Sequence, residues 1–169
     1  MKELLITDLD GTLLDPNGKL SDISAEIINQ FISTGGAFTF ATARTASSAV
    51  KITEKININT PCVLMNGVSI YDIQKKKYIK NEYINNGTAV TVAAIFKQCN
   101  IKPFMYKIKN NRLFALYTGF ENKQMCEFFL LRRDKYDKPF IKCSDLACEA
   151  DESVVYFTTL GAVSYTHLR

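Results

Sequence analysis

The sequence predicts an α/β protein: a parallel sheet with covering helices, followed by a smaller α+β region. Three observations predict it. Apolar segments over residues 4–7, 37–41 and 62–65 alternate with amphipathic segments over 22–34 and 46–56, the strand–helix order that builds a parallel sheet. Each of those strands ends in polar residues, Asp8 and Asp10, Thr42 and Arg44, and Asn66, at the edge where such sheets bind ligands. Beyond Met65 the pattern changes to strands joined by tight turns, which parallel pairing does not allow.

The elements follow in chain order. A short apolar strand over 4–7 runs into Asp8-Leu9-Asp10-Gly11-Thr12, and Asp15-Pro16-Asn17-Gly18 reads as a loop or flap. Ser21 is placed to cap a helix over 22–34, with Ile23, Ile27, Phe31, Ile28 and Ile32 on one face and Gly35-Gly36 as the stop. The strand over 37–41 leads to Thr42-Ala43-Arg44-Thr45, and a helix over 46–56 carries Val50, Ile52 and Ile56. The strand over 62–65 ends in Asn66-Gly67. A hairpin over 68–71 and 78–80 spans Lys75–Lys77. A helix over 87–99, strands over 103–108 and 112–118 joined by Asn110-Asn111, a helix over 121–132 and a strand over 153–159 complete the series. The boundary between the two regions is expected near residue 82.

Composition excludes several classes. In 169 residues, 47% are hydrophobic and 22% charged, close to globular averages and far from disordered ones. No uncharged apolar run approaches the length of a membrane helix, and the N-terminus carries no secretory pattern, so the chain reads as cytoplasmic with no membrane partner. The net charge of +4 comes from scattered lysines, and the one cluster, Lys75–Lys77, reads as a solvated hairpin tip; no nucleic-acid partner is expected. Five cysteines at uneven spacing read as reduced thiols. Cys143 and Cys148 lack the second pair that a zinc site needs.

The chemistry concentrates at Asp8 and Asp10. Two carboxylates two residues apart at a strand end can face one ligand, Gly11 permits a sharp turn, and Thr12 offers a hydroxyl to orient a carboxylate. Such a pair suits a nucleophile beside a general acid/base, and it suits a hard cation such as Mg²⁺. Fixing Asp, Asp, Gly and Thr at their ordinary usage gives about one chance match in several hundred chains of this size.

The segment DLDGTLL after the first strand resembles the first motif of the haloacid dehalogenase (HAD) superfamily. FATAR after the second strand is similar to the superfamily's second motif, and VLMNGVSIYD resembles the third-strand region of its Cof-type sugar-phosphatase branch. The resemblance covers about residues 1–160. It implies the N-terminal half of a Rossmann-like HAD core over 1–82 and a partial, truncated α+β cap over 83–160. It implies that Asp8 attacks phosphorus to form an aspartyl-phosphate, while Asp10 protonates the leaving oxygen and then activates water. Asp8 and the Asp10 backbone carbonyl are implied Mg²⁺ ligands. Thr42 is implied to bind the phosphoryl group, helped by backbone N–H groups at Leu9 and Ala43, and the substrate is a small phosphate monoester, a sugar phosphate in this branch. Arg44 and Asn66 are candidate substrate contacts; a surface salt bridge for Arg44 and a plain turn at Asn66 remain open alternatives. Acting as an acid near neutral pH, Asp10 needs a raised pKa, which a neighbouring carboxylate favours.

Two departures stand out. Position 43 is Ala where the branch has Gly, which costs roughly 1 kcal/mol if the backbone there needs a positive φ. The superfamily's later lysine and Gly-Asp-x-x-Asn-Asp motifs do not occur before Arg169. Their strand is implied to pair beside the first one, so an open apolar edge and an inactive fragment are expected. Residues 161–169, which hold the single histidine, His167, break the preceding pattern and read as an artefactual tail. A phosphomutase or sugar-phosphate synthesis phosphatase of the same superfamily, and a non-catalytic binder of phosphorylated ligands or partners, are the rival readings.

Overall fold

A computed structural model describes residues 3–160; the expected tail, with His167, lies outside them. The elements are β1 (Leu4–Thr7), α1 (Asp22–Ser33), β2 (Ala37–Phe40), α2 (Ala46–Ile52), β3 (Cys62–Leu64), β4 (Ser69–Asp72), β5 (Lys77–Asn81), α3 (Asn86–Gln98), β6 (Phe104–Lys109), β7 (Arg112–Tyr117), α4 (Lys123–Tyr136), β8 (Phe140–Lys142), α5 (Leu146–Glu149) and β9 (Val154–Thr158). This is the α/β composition that the sequence predicts. The chain divides into two compact units, meeting in sequence at Glu82 and Tyr83. No helix among the described residues is long and apolar enough to cross a membrane.

In the first unit, β1 pairs with β2 in parallel, from Leu4 opposite Ala37 to Thr7 opposite Phe40. The step from β2 to β3 is a single parallel bridge between Ala41 and Val63. Side chains replace the rest of that ladder: Phe38 N–H donates to Asn59 Oδ1 (3.0 Å), Asn59 Nδ2 donates to the Gly36 carbonyl (2.8 Å), and the Thr39 and Thr60 hydroxyls donate to the Pro61 and Phe38 carbonyls (2.7 Å each). The β4–β5 hairpin then adds antiparallel strands beside β3, and Lys75 and Lys76 lie in its exposed tip.

Helix α1 starts where its cap predicts, with the Ser21 hydroxyl oxygen accepting the Ser24 N–H at 3.0 Å. Its apolar face is only partly buried. Ala25 and Ile28 pack inward, whereas Ile23 and Ile27 are 71% and 61% exposed. The helix packs on β2, and β1 has a strand neighbour on one side only among the described residues. The sheet therefore ends before it can cover the outer isoleucines, and Leu4, Leu5 and Ile6 are each at least half exposed. The second helix is shorter than expected, ending at Ile52, and Thr53–Ile56 forms a separate turn closed by Ile56 N–H on the Thr53 carbonyl (2.9 Å).

The second unit is one sheet in the order β8-β7-β6-β9. The β6–β7 hairpin turns on Asn110 and Asn111 at φ 51° and 60°, the paired left-handed conformation whose twist suits a two-residue hairpin. One face packs Met105, Leu116 and Val154 against Ala89 and Ala93 of α3 and Leu146 of α5. The opposite face carries an aromatic stack in which Phe104, Phe128, Phe129 and Phe140 pack against one another, with centroid separations of 4.8–5.6 Å among the paired rings; each such pair contributes about 0.5–1.5 kcal/mol beyond its buried area. Strand β8 and helix α5 have no counterpart in the sequence-based series, because three and four residues are too few to show a period. All five cysteines are free thiols.

A buried ammonium anchors β9. Lys107, 6% exposed, donates to the Glu149 carbonyl and to Asp151 Oδ2, both at 2.8 Å. Burial favours the neutral Asp151 carboxyl, but hydrogen bonds from Lys107 and Ser153 outweigh it and hold its pKa down at about 2.

Two outcomes are expected. Because the folded pKa of Asp151 lies below the ordinary 3.8, the pair stabilises the fold above that pH and the increment disappears as pH falls toward 2. Urea unfolding across that window should show an acid-sensitive increment that Asp151→Asn lacks, and Lys107→Met should cost about 2 kcal/mol at neutral pH, less than a fully sealed pair because Asp151 is half exposed. Separately, the apolar surface of β1 and α1 should bind a hydrophobic dye, and Ile27→Lys should lower the bound fluorescence while changing stability by less than about 0.5 kcal/mol. A sharp monomeric melt without dye binding would count against an open edge.

Candidate active site

The carboxyl ends of β1, β2 and β3 form the walls of one pocket of about 480 Å³, lined by Asp8, Asp10, Thr42, Ala43, Asn66 and Gly67 among others. Of the site residues singled out from sequence in this unit, Asp8, Asp10, Thr42, Ala43 and Asn66 thus line one concavity, Leu9 and Arg44 are hydrogen-bonded to its carboxylates, and Gly11 and Thr12 stand outside its lining.

The carboxylates reach the pocket by a turn and not by strand alternation. Strand β1 ends at Thr7, Asp8 is extended (φ −81°, ψ 162°), and the chain reverses through Asp10 and Gly11. Gly11 sits at φ 75°, where a side chain is disfavoured. Asp8 caps this turn: its Oδ1 accepts the Leu9 N–H at 2.7 Å, while the Leu14 N–H closes the loop on the Leu9 carbonyl at 2.9 Å. Leu9 itself is completely buried and serves as the apolar root of the turn. Thr12 is exposed, and its hydroxyl makes no hydrogen bond to a carboxylate among the described residues, so the orienting role expected of it is not present.

Arg44 supplies the orienting contact that Thr12 does not. Its Nε donates to Asp10 Oδ2 at 2.7 Å and its terminal nitrogen donates to Asp10 Oδ1 at 2.6 Å, a two-pronged ion pair that fixes the plane of the carboxylate. The Asp10 side chain is 52% exposed and that of Arg44 is 18% exposed. Of the two alternatives open for Arg44 in the sequence, the structure displays an ion pair, and its partner is the second carboxylate of the motif.

The segment Thr42–Arg44 is held by β3. Thr42 N–H donates to the Val63 carbonyl (3.0 Å), Asn66 N–H to the Thr42 carbonyl (3.1 Å) and Met65 N–H to the Arg44 carbonyl (3.1 Å). The buried Thr42 hydroxyl accepts the Arg44 N–H at 3.2 Å. Ala43 is exposed and has a negative φ, so the penalty considered for a missing glycine does not arise. The left-handed backbone lies instead at Met65, Asn66 and Gly67 (φ 51°, 57° and 94°). Asn and Gly adopt that region readily, whereas Met at 2% exposure does so under constraint from its packing. Asn66-Gly67 marks that turn in the sequence; nothing in the sequence marks Met65.

The residues expected to hold a metal offer hard oxygen only, the Asp8 carboxylate and the Asp10 main-chain carbonyl, and Asp8 and Asp10 both line the pocket. That chemistry fits Mg²⁺ with water completing the shell. No group of three or more acidic, histidine or cysteine side chains gathers as a metal cage among the described residues.

This geometry agrees with comparisons to known proteins. A family model for haloacid dehalogenase-like hydrolases matches residues 5–146. A protein of Buchnera aphidicola subsp. Schizaphis graminum described as a candidate phosphatase is 33% identical over 160 residues, covering 94% of this chain and 55% of its own length. A haloacid dehalogenase-like hydrolase from Bacteroides thetaiotaomicron superposes with a TM-score of 0.70 at 16% identity, over 91% of this chain and 56% of that one. A HAD subclass IIB sugar phosphatase superposes at 0.57 and 16% identity, over 88% and 56%. The chain thus spans little more than half the length of these relatives. With the matched span running from β1 through the start of α5, and with both carboxylates of its first motif on one turn, the chain belongs to the haloacid dehalogenase-like hydrolase family.

Proposed function

We propose that this chain carries the nucleophile-bearing part of a phosphatase that hydrolyses small phosphate monoesters, with sugar phosphates as the substrate class. The observation that carries the reading is the placement of Asp8, Asp10, Thr42 and Asn66 around one pocket at the strand ends. Family membership and the candidate phosphatase relative support it, and the sugar-phosphate class is supported by the subclass IIB sugar phosphatase among the structural relatives.

In this reading an Asp8 carboxylate oxygen attacks phosphorus, an Asp8 O–P bond forms, and the ester P–O bond breaks. Asp10 gives a proton to the departing alcohol oxygen. Water then attacks the phosphoryl group while Asp10 takes back a proton, and the Asp8 O–P bond breaks to release phosphate. Thr42, with the N–H groups of Leu9 and Ala43, binds phosphoryl oxygens; Asn66 and Arg44 contact the substrate. The Leu9 N–H is engaged by Asp8 in the described structure, so substrate binding includes an exchange of that hydrogen bond. Likewise the Asp10–Arg44 pair loosens when Asp10 carries its proton. Asp8 and the Asp10 carbonyl would hold Mg²⁺, which would supply positive charge to the phosphoryl site.

Two measurements test the reading. A polypeptide of the relatives' full length should hydrolyse p-nitrophenyl phosphate with Mg²⁺, and Asp8→Asn should lower kcat by about 10³-fold or more; unchanged turnover in that variant would remove Asp8 from the mechanism. The 169-residue chain assayed alone should show negligible turnover, and activity that Asp8→Asn abolishes would show that the two motifs present are sufficient.

A further inference from the structure

We propose that the second unit holds a binding pocket, at the C-terminal end of α3, for a small ligand with an apolar body the size of one ring and a single carboxylate. The pocket has a volume of about 130 Å³, close to that of the roughly 150 Å³ cavities that take up benzene. None of its lining residues belongs to the candidate active site.

The end of α3 builds the first wall. Asn100 is left-handed at φ 55°, its N–H donates to the Lys97 carbonyl at 3.1 Å, and the Ile101 N–H donates to the Phe96 carbonyl at 2.8 Å. This paired closure turns the chain back, so that Ile101, Lys102 and Pro103 line the pocket together with Ala93 and Phe96. Phe96 is held in turn by Phe157, with ring centroids 5.8 Å apart. Thr118, just beyond β7, and residues 144–146, which lead into α5, complete the lining. Lys97 Nζ donates to Asp145 Oδ2 at 2.5 Å, and Asp145 Oδ1 accepts the Ala147 N–H at 2.9 Å. One ion pair thus ties α3 to the start of α5.

Charge and polarity select the ligand. Among the described residues the Lys102 ammonium makes no ion pair; only its main-chain N–H is engaged, by Glu121 Oε1. Its Nζ lies 3.7 Å from the point where a side chain at Gly119 would begin, and the glycine leaves that flank open. The Thr118 and Ser144 hydroxyls likewise have no hydrogen-bond partner among the described residues. Lys97 and Asp145 neutralise each other, which leaves the lining with one positive charge, that of Lys102. A single ammonium near a carboxylate favours a monoanion over a phosphate dianion, which Asp145 repels. The buried side chains of Ala93, Pro103 and Leu146 offer hydrocarbon contact, and an apolar pocket with a few polar groups is the usual make-up of a small-molecule site.

The test titrates benzoate into the 169-residue chain at constant ionic strength without Mg²⁺. Proton–carbon spectra of the Lys102 ε-methylene and the Thr118 methyl report on the pocket, their signals being those that Lys102→Met and Thr118→Val remove. Benzoate should shift both saturably. Lys102→Met, read at the Thr118 methyl, should weaken binding about fivefold or more, and Lys102→Arg should retain it. Benzyl alcohol keeps the ring without the charge, and acetate keeps the charge without the ring; each should bind about fivefold more weakly than benzoate or worse. The benzoate shifts should persist in Ile27→Lys, which separates the pocket from the apolar surface of β1 and α1. Any of four results would overturn the proposal: no saturable shift at Lys102 and Thr118, equal binding of benzyl alcohol or acetate, unchanged affinity in Lys102→Met, or a response lost in Ile27→Lys. A cooperative melt for Lys102→Met confirms that the variant folds, and the comparison of the three ligands needs no variant.

Discussion

Three backbone hydrogen bonds between the Thr42–Arg44 segment and the Val63–Asn66 segment hold the candidate active site in shape. One of them, from Thr42 N–H to the Val63 carbonyl, forms part of the single bridge between β2 and β3; below that bridge the two segments are joined by side chains. With the three bonds, the hydroxyl of Thr42 and the guanidinium of Arg44 have fixed origins, and Arg44 can reach across to set the plane of the Asp10 carboxylate. The turn after β1 adds its own constraint, since the Asp8 side chain caps the same turn that presents Asp10. The pocket is therefore built by main-chain bonds at strand ends, the part of the structure least sensitive to which side chains surround it.

Much of this was legible in the residues. Asp-Leu-Asp-Gly announced a turn bearing two carboxylates, Ser21 announced a helix start, and Asn110-Asn111 announced a hairpin, because each of those residue types has a local reason to be where it is. The less legible features depend on long-range partners. Ile23 and Ile27 share a helical face with Ile28 in any helix, but only the extent of the sheet decides which of them is covered. Strand β8 forms because β7 offers it an edge, and its three residues carry no period. Arg44 could as well have faced a substrate; its pairing with Asp10, 34 positions earlier in the chain, comes from the convergence of two strand ends.

The two buried lysines illustrate the same point from the electrostatic side. Lys107 and Lys138 are indistinguishable as letters, and each sits near aromatic and apolar neighbours. One has a carboxylate and a carbonyl within 2.8 Å, so its charge is retained and becomes part of the fold. The other has the Tyr106 ring opposite it, and burial pushes its pKa down to about 7. Burial alone does not say whether an ionisable group is a structural clamp or an available one; the identity of what stands opposite it does.

The left-handed run from Met65 to Gly67 bears on how variation in this chain should be interpreted. Asn66 and Gly67 are exposed, the kind of position at which most substitutions are tolerated. Their dihedral angles nevertheless restrict them to residues that accept a positive φ cheaply. Invariance at this pair across related sequences would therefore arise from backbone geometry even where neither side chain touched a ligand. Variation at exposed Ala43, whose backbone is unrestricted in this sense, would be the more informative record of what enters the pocket.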